Sequence, residues 1–223
     1  MMRETVVYVH GLWASRADSV ILRRRLARDF DFDVRVFRYP AVSSSIAEVI
    51  ERLERFVAEL APRSLHFVGH SLGGLVIYRL FERRPSQPPG RVVLLGTPAV
   101  ACRAAVTAAR VGWAATMLGK CVAEELLVPR ERHWSHARPL GIIAGTRALG
   151  LAPYLARLPG ENDGTVAVSE TRLPGAADHI SVPASHMGLL ISSRAARETG
   201  LFLREGHFAL RPPAPFPSSP RSS

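Results

Sequence analysis

Six short apolar runs recur along this chain, at residues 5–9, 33–37, 65–68, 91–95, 140–144 and 179–182, and they limit its fold more than any other feature. Apolar runs this short read as strands. Segments of helical periodicity separate the first four, at residues 17–30, 46–60 and 72–83. In the second of these, Ser45 stands three residues before Glu48 as a capping box, and Ile46, Val49, Ile50, Leu53, Phe56, Val57 and Leu60 share one face. Strand and helix in strict alternation imply parallel pairing with right-handed crossovers. The expected fold is therefore an α/β class, three-layer α/β/α sandwich around a mainly parallel six-stranded sheet.

One passage inside this pattern carries chemistry. Gly69-His70-Ser71-Leu72-Gly73-Gly74 joins the third apolar run to the third helical segment. A serine flanked by glycines at a strand-to-helix turn is a nucleophile elbow. The turn is tight enough to hold the serine in a strained backbone conformation, and side chains two positions to either side would collide, hence Gly69 and Gly73. The free N–H groups and positive dipole end of the following helix favour negative charge forming beside Ser71.

A serine hydroxyl needs a base, and the base needs an acid to orient it. His186 lies in the loop Pro183-Ala184-Ser185-His186-Met187-Gly188 after the last strand, at the sheet edge that Ser71 occupies. His179 begins that strand and so falls at the wrong edge, His207 follows the last helix, and His133 and His136 fall in an insertion. For the acid, Asp163 in the turn Asn162-Asp163-Gly164-Thr165-Val166 is preferred to Asp178, which precedes the last strand at the opposite edge. Two N–H donors should face the developing oxyanion: that of Leu72, directly after the serine, and that of Leu12, where Val9-His10-Gly11-Leu12-Trp13 leaves the first strand. Trp13 and His70 are candidate substrate contacts, Trp13 fitting equally a packed aromatic.

The remaining sequence bounds the setting. At 223 residues the chain suits one catalytic domain, over residues 1–205, with a Pro- and Ser-rich tail at 206–223 expected to be disordered. More than 40 residues separate the fourth and fifth runs; residues 99–138 read either as a helical lid or as ordinary packing helices. The formal net charge of +10 rests on scattered arginines, Lys120 being the sole lysine, and without a basic stripe interleaved with aromatics no nucleic-acid partner is expected. Transient contact with an anionic membrane surface stays open. Cys102 and Cys121 have no metal-like spacing, and the start of the chain has no apolar signal region, so free thiols and a cytoplasmic location are expected.

Taken together, His10-Gly11-Leu12, the elbow at residues 69–74, Leu95-Gly96-Thr97-Pro98, Asp163-Gly164-Thr165-Val166 and Ser185-His186-Met187 resemble the α/β-hydrolase superfamily. The similarity spans residues 5–195 and is nearest to the compact bacterial lipases and esterases with a G-H-S-x-G-G elbow. It implies a minimal form of that fold lacking the first two strands, with a triad of Ser71, Asp163 and His186 and an oxyanion hole from Leu12 and Leu72. It also implies cleavage of a carboxylic ester, small or lipid-like, through an acyl-enzyme, with no cofactor; some such relatives bind calcium, but with few clustered carboxylates here no metal site is expected. An acyltransferase or thioesterase with the same triad, or a non-catalytic module of the same fold, are the alternatives. Thr97-Pro98-Ala99 departs from the T-P-H of many such lipases.

Overall fold

The computed structural model describes residues 3–12, 18–99, 106, 120–126, 131–149, 158 and 160–209. The six runs form strands β1 (Thr5–Val9), β2 (Asp33–Phe37), β3 (Leu65–His70), β4 (Val92–Leu95), β5 (Leu140–Gly145) and β6 (Asp178–Val182). They make one sheet in the order β2-β1-β3-β4-β5-β6, with every neighbouring pair parallel. Helices α1 (Val20–Phe30), α2 (Ile46–Leu60), α3 (Leu72–Arg83) and α4 (Ser193–Glu205) cover its faces.

Alternation along each strand divides the core into two layers. Val7 and Val9 of β1 join Phe67 with Val49 and Leu53 of α2 and Leu75 and Leu80 of α3. Val6, Tyr8 and Val68 point the other way, to Leu22 and Leu26 of α1 and Phe202 and Leu203 of α4. Each fully buried leucine or phenylalanine contributes roughly 1.5–3 kcal/mol, so both faces of the sheet are closed by helices and the three-layer expectation holds.

The register decides where chemistry can occur. Val9 lies opposite Gly69, and His70 opposite Leu95, so the turns leaving β1, β3 and β4 emerge side by side. The chain moves outward from β1 to β2, then crosses back to β3 on the other side of β1. Crossovers diverge there, at the carboxyl ends of β1 and β3, which is where open α/β sheets place their binding sites.

Several boundaries differ from expectation. α1 begins at Val20 rather than 17, behind a turn at residues 18–19. The last helix runs to Glu205 instead of ending near Arg197. Gly200 does not break it; a Cβ there would lie 2.3 Å from the Phe30 ring, so the glycine lets α4 press against α1. The real stop is Gly206, in the left-handed region at φ 88°. Beyond it the chain stays packed, for Phe208 is 4% exposed against Phe202, and Phe208 N–H donates to Asp178 Oδ2 at 3.0 Å. Order therefore extends past the expected tail boundary at 206, while residues 210–223 lie outside the described residues.

Most of the expected lid also lies outside them. Its described part includes a helical segment at residues 120–125 that docks on the start of α2. There Glu124 Oε2 accepts from Ile46 N–H at 2.9 Å, and Lys120 N–H donates to Val42 O at 3.0 Å. No helix among the described residues is long and apolar enough to cross a membrane.

Candidate active site

Ser71 occupies the turn between β3 and α3 with φ 53° and ψ −126°, a conformation that L-residues avoid. Such a residue carries about 1–3 kcal/mol of strain and persists only where its surroundings hold it. Here Ser71 N–H donates to Leu95 O at 2.9 Å, and Ser71 O accepts from Gly74 N–H and from the Thr97 hydroxyl, both at 3.0 Å. The glycines are sterically required. A Cβ on Gly69 would stand 2.6 Å from Gly74 Cα, and one on Gly73 would stand 2.2 Å from Val9 O. Thr97 was assigned no role in the sequence; its hydroxyl is a strut beneath the elbow.

The structure brings Asp163 and His186 together. His186 Nδ1 lies 2.7 Å from Asp163 Oδ2, and Asp163 is 1% exposed. The other carboxylate oxygen, Oδ1, accepts from Thr165 and Val166 N–H at 2.9 and 2.7 Å. With Oδ1 taken up by these two backbone donors, Oδ2 faces the imidazole as acceptor; a neutral ring that donates Nδ1–H to it leaves Nε2 without a proton. The rejected residues sit elsewhere. Asp178 accepts from His179 and Phe208 N–H, His179 Nε2 lies 2.8 Å from the Thr171 hydroxyl, and His207 pairs with Glu205.

Two residues join this pair to Ser71. Gly96 follows Leu95, which holds the Ser71 amide, and a Cβ on Gly96 would fall 3.1 Å from Asp163 Oδ2 and 3.2 Å from His186 Nδ1. His70, directly before the serine, places its ring centroid 4.8 Å from that of His186 and its Nε2 3.0 Å from His186 O. The expectation that His70 contacts substrate is thereby corrected: it is 2% exposed and braces the histidine loop. Burial, with His186 alongside, pushes its pKa down to about 3, so His70 is neutral and its Nε2–H donates to the carbonyl.

The two expected oxyanion donors belong to the turns that leave β1 and β3. Leu72 opens α3, where backbone N–H groups have no intrahelical acceptor. Gly11 is pressed against the elbow, since a Cβ there would meet Ser71 Cβ at 3.0 Å and His70 O at 3.2 Å. Leu12 follows directly; Trp13 lies outside the described residues. In the sequence, His10-Gly11 points to a role through its glycine; in the structure the imidazole also engages this turn. His10 Nδ1 lies 2.7 Å from Gly11 O, and its ring stacks on Tyr39 with centroids 4.6 Å apart. Tyr39 is 29 positions away and offers no signal in the sequence. Cys121 is no rival nucleophile, because burial pushes its thiol up to about 12.

The pattern that defines the alpha/beta hydrolase family matches residues 6–222, and the chain belongs to that family. No curated protein matches it. Among solved structures, the mature lipase BlEst2 of Bacillus licheniformis superposes with a TM-score of 0.70 at 20% identity, covering 91% of each chain. Phospholipase PlaB of Legionella pneumophila gives 0.64 at 15% identity over 91% of this chain and 57% of its own. The RedJ thioesterase of the prodiginine pathway in Streptomyces coelicolor gives 0.58 at 14% identity over 88% and 84%.

Proposed function

We propose that this protein is a serine hydrolase that cleaves a carboxylic ester, small or lipid-like, through an acyl-enzyme. One observation carries the reading: a serine held at φ 53° on an elbow is flanked by a buried aspartate–histidine pair joined at 2.7 Å. Ser71 Oγ attacks the ester carbonyl carbon as its proton passes to His186 Nε2. The tetrahedral oxyanion is met by the N–H groups of Leu72 and Leu12, each such donor being worth about 3 kcal/mol when removed. The bond to the alcohol oxygen then breaks, with His186 returning the proton to the departing alkoxide. Water, deprotonated by the same imidazole, attacks the acyl-enzyme, releases the acid and restores Ser71. Asp163 stays ionised throughout, orienting the ring and stabilising the imidazolium.

The neighbours named lipase, phospholipase and thioesterase support acyl chemistry and leave the leaving group open. The test is labelling by a fluorophosphonate, with turnover of p-nitrophenyl esters of rising chain length and of matching thioesters, and Ser71→Ala as control. Ser71-dependent labelling and ester turnover are expected. Absence of both in the wild type sinks the hydrolase reading, faster thioester than ester turnover makes it a thioesterase, and acyl transfer to an added alcohol in preference to water makes it an acyltransferase.

A further inference from the structure

We propose that His10 and Tyr39 form a clamp that aims the Leu12 N–H at the oxyanion, making His10 a positioning residue of the site; this rests on the hydrolase reading above. The tautomer follows from the donors. Tyr39 N–H can only donate, and it lies 3.4 Å from His10 Nε2, so that nitrogen accepts. A neutral ring with an accepting Nε2 carries its proton on Nδ1. That proton points to Gly11 O at 2.7 Å, the carbonyl of the next residue. The ring has little freedom to do otherwise, lying nearly parallel to the Tyr39 ring at 15°, while the Tyr39 hydroxyl donates to His10 O at 2.8 Å. Tyr39 is itself buried and stacks on Phe37 at the end of β2.

The consequence lies in one peptide unit. The carbonyl of Gly11 and the N–H of Leu12 belong to the same trans amide and point in opposite directions. Tethering Gly11 O to the imidazole therefore turns Leu12 N–H away from His10. Because a Cβ on Gly11 would stand only 3.0 Å from Ser71 Cβ, this peptide flanks the elbow, where the oxyanion forms. A flip of the untethered peptide would replace a donor with a carbonyl lone pair at the place where negative charge develops. The clamp sets the dipole before substrate arrives, and fixed dipoles are what make such a hole effective. His10 itself touches no reacting atom; it acts through Leu12.

The proposal is tested with His10→Ala, His10→Asn and Tyr39→Phe, after thermal melts establish that each variant folds. His10→Ala is expected to lower kcat about 30- to 100-fold with KM within about twofold, since a hole interaction is made in the transition state. Binding of a trifluoromethyl ketone, whose Ser71 adduct carries the same oxyanion, should weaken by a matching factor. In His10→Asn the side-chain amide can donate from the position of Nδ1, and activity should return to within about fivefold of wild type. Tyr39→Phe keeps the backbone donor to Nε2 and should lose less than His10→Ala. The proposal is overturned if His10→Ala keeps kcat within about twofold, or if His10→Asn is as damaged as His10→Ala. Nitrogen-15 NMR of the wild-type imidazole supplies an arm independent of turnover. An Nε2–H tautomer sinks the clamp even in an active enzyme, whereas an Nδ1–H tautomer without Ser71-dependent turnover sinks the hydrolase reading instead.

Discussion

Asp163 and His186 are tied to each other twice, through their side chains at 2.7 Å and through the backbone, where His186 N–H donates to Asp163 O at 2.8 Å. The two loops therefore stay together when the side-chain bond alone is altered. Asp163→Asn can still accept from Thr165 and Val166 N–H through its amide oxygen, but it presents N–H to the imidazole and forces the wrong tautomer. We expect kcat to fall about 10³- to 10⁴-fold with little change in stability. Asp163→Ala also strands those two backbone donors and should lose a further 1–3 kcal/mol or so of stability for each. Steady-state kinetics beside urea unfolding separates the two variants.

Gly96 stands at φ 54° with the Asp163–His186 pair directly behind it. Gly96→Ala forces a Cβ both into a left-handed conformation and against that pair. A loss of about 1–3 kcal/mol in unfolding free energy is expected, with a fall in kcat that outlasts any stabilising additive. Unchanged kcat in the folded variant would mean that the pair tolerates displacement.

Glu125 and Arg132 form an ion pair at 2.9 Å in which each side chain is 2% exposed. Arg79 of α3 also binds Glu125, and Arg132 donates to Ala99 O at 2.8 Å, so the cluster fastens both flanks of the 99–138 insertion to the body. Arg132→Met leaves a buried carboxylate with only Arg79 and should destabilise by about 3–5 kcal/mol. Adding Glu125→Leu removes that stranded charge, and the double variant should be more stable than the single one. Denaturant titration of the three proteins checks the order.

Two buried histidines make stability depend on pH. Desolvation pushes His66 down to about 4 and His70 to about 3, from an ordinary value of 6.5. In this range the unfolded chain binds protons that the folded chain refuses. The stability is thus complete above pH 6.5 and is lost progressively as pH falls from there through the folded-state values, with a slope of at most about 1.4 kcal/mol per pH unit for each ring. His66→Asn, whose amide oxygen can accept from Arg91 N–H at the position of Nδ1, should flatten the slope of unfolding free energy between pH 6.5 and 4.5 or so.

The fold was legible because parallel strands buried on both faces leave unbroken apolar runs, as residues 92–95 and 140–144 do, and because the elbow is a local device whose glycines act on neighbours in sequence. Asp163 and His186 could be found by asking which loops leave the same sheet edge as Ser71. What escaped depends on contacts between distant residues. Nothing near Gly200 in sequence shows that Phe30 packs against it, and Phe208 reads as part of a tail until Phe202 and Asp178 hold it. His70 reads as a substrate contact for lack of any sign that His186 O would take its proton donor. The His10–Tyr39 stack joins two loops that only the β1–β2 pairing brings together.

The order of the strands carries a consequence for biosynthesis. Each part of the site hangs from a different strand: Gly11 from β1, Ser71 from β3, Gly96 from β4, and His186 from β6. A ribosome therefore delivers Ser71 long before His186, and the strand that precedes His186 is synthesised last and lies at the far edge from β2. On the hydrolase reading, turnover regained during refolding is expected to wait for β6 to pair with β5, so its time course would report that pairing.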